Sequence, residues 1–148
     1  MKICVVGLWH LGVVTAACLA EAGFDTVGID PDEAVIDELA AGRPPLYEPG
    51  LAELIRACGD AGRLTFVADP RAALSQADLI WITYDTPVSD EDKADADYVL
   101  ERIESLFPHL QDGSTILISS QLPVGTTAYI EQRFATNAAG RNVAFAYS

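Results

Sequence analysis

The chain has 148 residues, about the size of one domain, and half of them are hydrophobic, so it can bury a core of its own. Acidic residues outnumber basic ones by 22 to 9, which gives a formal net charge of −13. A surface of this sign repels nucleic acids and anionic membranes, and the chain has no run of about 18 uninterrupted apolar residues to span a bilayer. Composition therefore indicates a globular domain with neither nucleic acid nor membrane as partner.

Six short apolar runs rich in β-forming residues alternate with helical patterns. The runs lie at residues 2–7, 25–30, 64–68, 79–83, 115–120 and 143–147. Helices are predicted from small residues over 11–22 and from apolar residues three or four apart in 51–58, 99–107 and 130–134. Nearly continuous apolar strands that alternate with helices predict an α/β fold: a doubly wound parallel sheet of the Rossmann type, with about six strands and helices on both faces.

Residues that typically start or end helices lie where this alternation of strands and helices predicts them. Asp69 followed by Pro70 predicts the start of a helix, because an aspartate caps the free amides and a proline fits the first helical position. Gly23 and Gly42 stand where helix ends favour a left-handed residue. A ligand is then expected at the carboxyl ends of the strands.

The segment VVGLWHLG at residues 5–12 has two glycines in a spacing that P-loops and dinucleotide loops share. A P-loop needs a lysine and a hydroxyl after the second glycine, but Val13 and Val14 stand there. The pattern G-x-G-x-x-G needs a strand before it, a helix after it and an acid about 20 residues on, and Asp30 completes that set. The context predicts a dinucleotide site, although Trp9 replaces the middle glycine that lets the backbone approach the phosphates.

Each loop position has an expected task. Gly7 permits the tight turn, and Gly12 permits the close approach of helix to strand. The backbone amides around His10 to Gly12 face the pyrophosphate at the positive end of the helix. Asp30 accepts hydrogen bonds from the ribose hydroxyls and repels a 2′-phosphate, which favours NAD over NADP.

Simpler interpretations stand beside these. Asp30 at a strand end is also a candidate N-cap for the segment PDEAVIDELA. His10 is expected to supply a backbone donor with an incidental side chain, and His109 to lie on the surface, because neither accompanies a nucleophile pattern. Trp9 either covers the loop or packs on another domain. The acidic run at 84–97 is expected to be a solvated loop and no metal is expected, because its spacing does not match a D-x-D-x-D-G loop.

The three cysteines form no C-x-x-C pair, which favours a reducing cytoplasm. The start of the chain superficially resembles a signal peptide, but its glycines, Trp9 and His10 interrupt the apolar run, and the strand and helix alternation continues from it. We expect Cys4 and Cys18 to be core residues and Cys58 to end a surface helix.

Three further segments carry more specific information: LYEPGL at 46–51, TYDTPVSDEDKADADYV at 83–99 and SSQLPVGTT at 119–127. Together with the glycine loop, their order and spacing resemble the N-terminal NAD-binding domain of the UDP-glucose/GDP-mannose dehydrogenase family. The resemblance covers essentially the whole chain. Y-E-P-G-L and P-V-G-T are specific in combination, far more so than a glycine loop alone.

The resemblance implies a function. In that family the full protein is a cytoplasmic, usually homodimeric oxidoreductase of polysaccharide biosynthesis. It oxidises the C6 alcohol of a nucleotide sugar to a carboxylate with two NAD⁺ and a cysteine thioester intermediate. Thr86 and Pro87 match the family's V-G-T-P loop, and residues 123–126 match its S-T-V-P-V-G-T turn. The expected cofactor contacts are Gly7, Trp9, His10, Leu11, Gly12, Asp30, Tyr84, Thr86, Pro87 and Ser120.

The chain also departs from the family pattern near the cofactor. His10 replaces the usual tyrosine, and Tyr84 and Asp85 replace the Val-Gly before Thr-Pro. Gln121 replaces the threonine that helps to position water near the reacting centre. Its amide can still donate or accept a hydrogen bond there, so Gln121 is the expected catalytic residue.

The resemblance further implies that residues 1–148 are the NAD-binding domain alone, a fragment without the dimerisation and sugar-nucleotide domains and inactive by itself. None of the three cysteines matches the family nucleophile. The alternative is a regulatory nucleotide-sensing Rossmann module without catalysis, such as those that gate potassium transport, which gives no reason for Y-E-P-G-L or P-V-G-T. Another hydroxyacid-type dehydrogenase with the same first half is a third possibility.

Overall fold

A computed structural model describes residues 1–87, 95–137 and 140–148. Within them six parallel strands form one sheet in the order β3-β2-β1-β4-β5-β6. The strands are β1 Lys2–Val6, β2 Asp25–Ile29, β3 Leu64–Val67, β4 Leu79–Ile82, β5 Thr115–Ile118 and β6 Ala144–Tyr147. Each lies inside one of the predicted apolar runs, so the prediction of a doubly wound sheet is confirmed. The strand order reverses between β1 and β4, which is where such folds open a crevice.

Helices cover both faces of the sheet, as predicted. They are α1 His10–Glu21, α2 Glu33–Ala40, α3 Leu51–Asp60, α4 Arg71–Leu74, α5 Ala96–Leu106 and α6 Thr126–Asn137, with a 3₁₀ turn at Phe107–His109. Successive side chains of β1 enter opposite cores: Val5 packs with α1, α2 and α3, and Val6 packs with α4, α5 and α6. This alternation is the pleat of a strand that is buried on both sides.

The ends of several elements carry the predicted chemistry. The carboxylate of Asp69 accepts a hydrogen bond from the amide of Arg71 at 3.0 Å, which is the expected capping bond. Gly23 and Gly42 have φ of +95° and +72° after α1 and α2, which confirms them as left-handed helix ends. The cap of α2 is Asp32, whose carboxylate accepts from the amide of Ala34 at 2.9 Å. The interpretation of Asp30 as that cap is therefore wrong.

One of the three cysteine placements is wrong. Cys4 is buried in β1 as expected, but Cys18 is exposed; Cys58 lies near the end of α3 as expected, and its side chain is 1% exposed. Cys18 lies outside the buried side of α1, which is made of small residues and Val13. Cys58 continues the buried stripe of α3 that begins with Leu51 and Ile55. Helical spacing identified that stripe, but the sheet decides that it faces inward.

None of the helices in the described residues is long and apolar enough to cross a bilayer. The acidic run at 84–97, expected to be a solvated loop, lies partly outside the described residues, since 88–94 are among those the structure leaves out.

Candidate functional site

The turn between β1 and α1 can be built only with glycine at two positions. Gly7 has a φ of +97°, and a Cβ added there would lie 2.7 Å from Cδ1 of Tyr84. A Cβ added to Gly12 would lie 1.9 Å from the carbonyl oxygen of Gly7. Real Cβ atoms essentially never come within 3.0 Å of such neighbours, so the predicted tight turn and close helix approach are both confirmed.

Thr83, directly after β4, holds this turn in place. Its hydroxyl lies 2.8 Å from the carbonyl oxygen of Gly7 and 3.1 Å from that of Val6, so its single proton is shared between the two. Thr83 is buried, and sequence reasoning missed it. The available signal was a hydroxyl residue at the carboxyl end of the strand next to β1.

The first turn of α1 presents free donors. Trp9 is the residue before the helix and provides no side-chain cap. Within the described parts of the chain, the amides of His10, Leu11 and Gly12 donate to no other group. Unpaired amides at the positive end of a helix form an anion site, so this end fits a pyrophosphate.

Asp30 follows β2 and faces the same turn. One carboxylate oxygen accepts from the amide of Leu8 at 2.9 Å, and the other accepts from the amide of Asp32 at 3.1 Å. A carboxylate has about four acceptor sites, so two remain for ribose hydroxyls. Asp30 therefore fastens the glycine turn while it keeps the acceptor capacity that a ribose requires.

A cleft of about 410 Å³ lies at this edge of the sheet, within the usual range for a ligand site. It brings together several of the predicted cofactor contacts, which are Gly7, Trp9, Asp30, Tyr84 and Pro87. The other predicted residues lie outside its lining: His10, Leu11, Gly12, Thr86, Ser120 and Gln121. Trp9 is 51% exposed and Leu11 is 49% exposed, so both stand at the protein surface.

His10 links the glycine turn to the Y-E-P-G-L motif. Its Nε2 lies 2.6 Å from a carboxylate oxygen of Glu48, the acidic residue of that motif. The expectation that His10 acts through its backbone amide stays a prediction, and the contact with Glu48 was missed. No local pattern shows this pair, because 38 positions separate the two residues.

A second group of residues lies at the ends of β4 and β5. The hydroxyl of Thr86 donates to the carbonyl oxygen of Gln121 at 2.8 Å, which joins the two loops that the resemblance assigns to the site. Ser120 is 2% exposed, and its hydroxyl has no hydrogen-bond partner among the described residues. The side chain of Thr126 donates to the carbonyl oxygen of Pro123 at 2.7 Å, so P-V-G-T forms the turn that opens α6.

The phenol of Tyr84 is neutral over the physiological range. Its pKa is raised from 10.0 to about 12, chiefly by burial and to a smaller extent by the charge of Asp30, against the lowering effect of Arg102. Tyr84 therefore adds an uncharged aromatic wall to a cleft that already contains carboxylates.

These features fit a dinucleotide. The free amides of α1 suit the pyrophosphate and Asp30 suits a ribose. Ser120, after β5, offers a buried hydroxyl that has no partner in the described part of the chain. The net negative charge of the chain repels an anionic ligand, so binding has to come from these local donors.

Comparisons with known proteins show the family of the chain. Residues 1–147 match the model of the NAD-binding domain of the UDP-glucose/GDP-mannose dehydrogenase family. UDP-glucose 6-dehydrogenase of Pseudomonas aeruginosa is 36% identical over 132 residues, which is 89% of this chain and 29% of that protein. This chain thus spans less than a third of the length of that curated relative.

Two solved structures share the fold. A UDP-glucose dehydrogenase from Pyrobaculum islandicum superposes with a TM-score of 0.82 at 31% identity, over 99% of this chain and 34% of that one. A ternary complex of GDP-mannose dehydrogenase from Pseudomonas aeruginosa gives 0.88 at 26% identity, over 99% and 35%. The chain therefore belongs to the UDP-glucose/GDP-mannose dehydrogenase family, as its NAD-binding domain.

Proposed function

We propose that this chain is the cofactor domain of a nucleotide-sugar 6-dehydrogenase, which oxidises the C6 alcohol of the sugar to a carboxylate with two NAD⁺. One observation carries the proposal: on a turn that only glycine can form, Asp30 accepts from the amide of Leu8, and the amides of His10 to Gly12 that follow have no partner among the described residues. The relatives are named as dehydrogenases of UDP-glucose, UDP-N-acetyl-D-mannosamine and GDP-mannose, which supports a nucleotide sugar as the substrate class.

The residues divide between two parts of the cofactor. The amides of His10 to Gly12 bind the pyrophosphate, and Asp30 accepts from the adenosine ribose. Thr86 and Ser120 would hold the nicotinamide half, which would supply the hydride acceptor. Trp9, Tyr84 and Pro87 line the approach.

Gln121 is the proposed catalytic residue. It follows Ser120, and its backbone is fixed by the hydroxyl of Thr86. Its exposed amide is free to orient a water molecule beside the reacting carbon, by donating to it or accepting from it. The variant that tests this role is Gln121→Leu, which keeps the size of the side chain and removes both hydrogen-bonding groups.

The remaining proposals concern the whole protein. Residues 1–148 form one cofactor domain that requires further domains for turnover, and the full protein is a cytoplasmic homodimer. The three thiols, all free, support a reducing location.

The first experiment is calorimetric titration of the chain with NAD⁺, NADP⁺ and ATP. Selective binding of NAD⁺ supports the proposal. Tighter binding of ATP would favour a nucleotide sensor, and no binding of any of the three would overturn the proposal. Reduction of NAD⁺ by the full protein with UDP- and GDP-sugars then tests the reaction.

Asp30→Asn tests the ribose contact. We expect the preference for NAD⁺ over NADP⁺ to narrow about tenfold, because the charge that repels the 2′-phosphate is removed. Asp85→Asn is the matched control, since Asp85 is exposed and lines the same cleft but does not end β2. An equal narrowing of the NAD⁺ preference in both variants would show that the overall charge of the cleft sets this preference, and not Asp30 in particular.

A further inference from the structure

Arg102 on α5 lies close to two aromatic side chains at the cleft. Its guanidinium carbon lies 4.4 Å from the centroid of the Tyr98 ring and 5.6 Å from that of the Tyr84 ring. Both distances are within the reach of a cation–π interaction, about 6 Å. Tyr98 is one helical turn before Arg102, so α5 itself provides one side of this clamp.

Tyr84 connects the clamp to the glycine turn. Its ring and backbone lie so close to Gly7 that a Cβ there would meet them at 2.7 to 3.1 Å. The guanidinium is therefore positioned with respect to the glycine turn through Tyr84. A planar group fixed in this way loses little freedom when a ligand stacks on it.

The charges of the cleft make Arg102 distinctive. Among its lining residues, all in the described part of the chain, Arg102 is basic, whereas Asp30, Asp32 and Asp85 are acidic. A dinucleotide carries negative charge, so this residue offsets the carboxylates where the ligand enters. The Nε of Arg102 is also buried and has no hydrogen-bond partner among the described residues. A buried N–H without a partner points to an acceptor that a ligand supplies.

We propose that Arg102 binds the adenosine half of the cofactor, with its guanidinium against the adenine ring and its Nε–H directed to an acceptor of the adenosine. Asp30, the proposed ribose residue, lines the same cleft, and Ser120 and Gln121 on the nicotinamide side do not. Val35 provides an apolar side for the ring. This inference rests on the proposed function, since it assumes that the ligand is NAD.

The test titrates AMP, nicotinamide mononucleotide and NAD⁺ into the unaltered chain and into Arg102→Met, which keeps the apolar stem. We expect AMP and NAD⁺ to bind about tenfold more weakly to the variant and the mononucleotide to bind equally. Arg102→Lys should bind AMP more tightly than Arg102→Met but more weakly than the unaltered chain, because an ammonium group has no planar face to stack. Unchanged AMP affinity in Arg102→Met would overturn the inference.

A second pair of variants keeps Arg102 in place and covers the case in which Arg102→Met does not fold. Tyr98→Ala removes one side of the clamp and should weaken AMP binding about threefold, whereas Tyr98→Phe keeps the ring and should bind AMP normally. Equal AMP affinity in both Tyr98 variants would overturn the inference that the Tyr98 ring holds Arg102 in place for AMP.

The two proposals fail separately. If the unaltered chain binds NAD⁺ and Arg102→Met binds it as tightly, only the inference on Arg102 is wrong. If the unaltered chain binds no NAD⁺, the proposed function is wrong and the inference falls with it.

Discussion

Replacement of Gly12 by alanine should be among the most damaging single-methyl additions to this fold. The new Cβ would lie 1.9 Å from the carbonyl oxygen of Gly7 and 2.8 Å from the hydroxyl of Thr83. The first neighbour is backbone, so the clash can be relieved only by moving α1 away from the turn. The new Cβ also crowds the Thr83 hydroxyl, which then has to give up its hydrogen bond to Gly7.

The expected loss of stability is large. Overpacking against backbone costs about 3 kcal/mol, and the lost hydrogen bond adds about 1 kcal/mol. Alanine gains up to about 1 kcal/mol in helix propensity, which offsets a quarter of that. We expect the free energy of unfolding to fall by about 3 kcal/mol, a substantial part of the total of a domain this size. NAD⁺ binding should be lost as well, because the free amides of α1 move with the helix.

Gly59→Ala is the matched control. Gly59 lies in α3 with ordinary helical backbone, and a Cβ there would meet nothing nearer than 3.9 Å. The same added methyl should therefore be neutral or stabilise by up to about 1 kcal/mol. Urea unfolding followed by circular dichroism measures both variants. Equal midpoints for Gly12→Ala and Gly59→Ala would refute the close approach of α1 to the turn.

Three more experiments test other parts of the structure. Trp9→Gly should tighten NAD⁺ binding in calorimetry, because it restores the small residue next to the phosphates; weaker binding would show that the half-exposed indole contributes a contact. In the native protein one thiol, Cys18, should react rapidly with a disulfide reagent, and unfolding should release the two buried thiols, Cys4 and Cys58; burial also raises the pKa of Cys4 to about 12. The folded pKa of Tyr84, about 12, exceeds its ordinary value of 10.0, so its contribution to stability is complete below pH 10 and declines as the pH rises towards 12. Tyrosinate absorbance should show this late step in the unaltered chain and lack it in Tyr84→Phe.

The sequence alone determined the sheet and the glycine turn. Strand alternation, helix ends at Gly23 and Gly42, and the positions of Gly7 and Gly12 are local properties, because each depends on the backbone preferences of a few adjacent residues. Asp30 could be placed beside the turn because parallel strands end at the same edge of a sheet. These are the features in which prediction and structure agree.

The tertiary structure decided which side chains meet. His10 contacts Glu48 across 38 positions, and Thr83 contacts Gly7 across 76, so no short window of sequence contains either pair. The place of Arg102 against Tyr84 depends in the same way on how α5 packs on the sheet, whereas its contact with Tyr98 is local to α5. Helical spacing fixed the stripe that contains Cys58, but only the sheet beneath α3 made that stripe the buried side. Chain periodicity sets which residues share a face, whereas the burial of that face is a property of what packs against it.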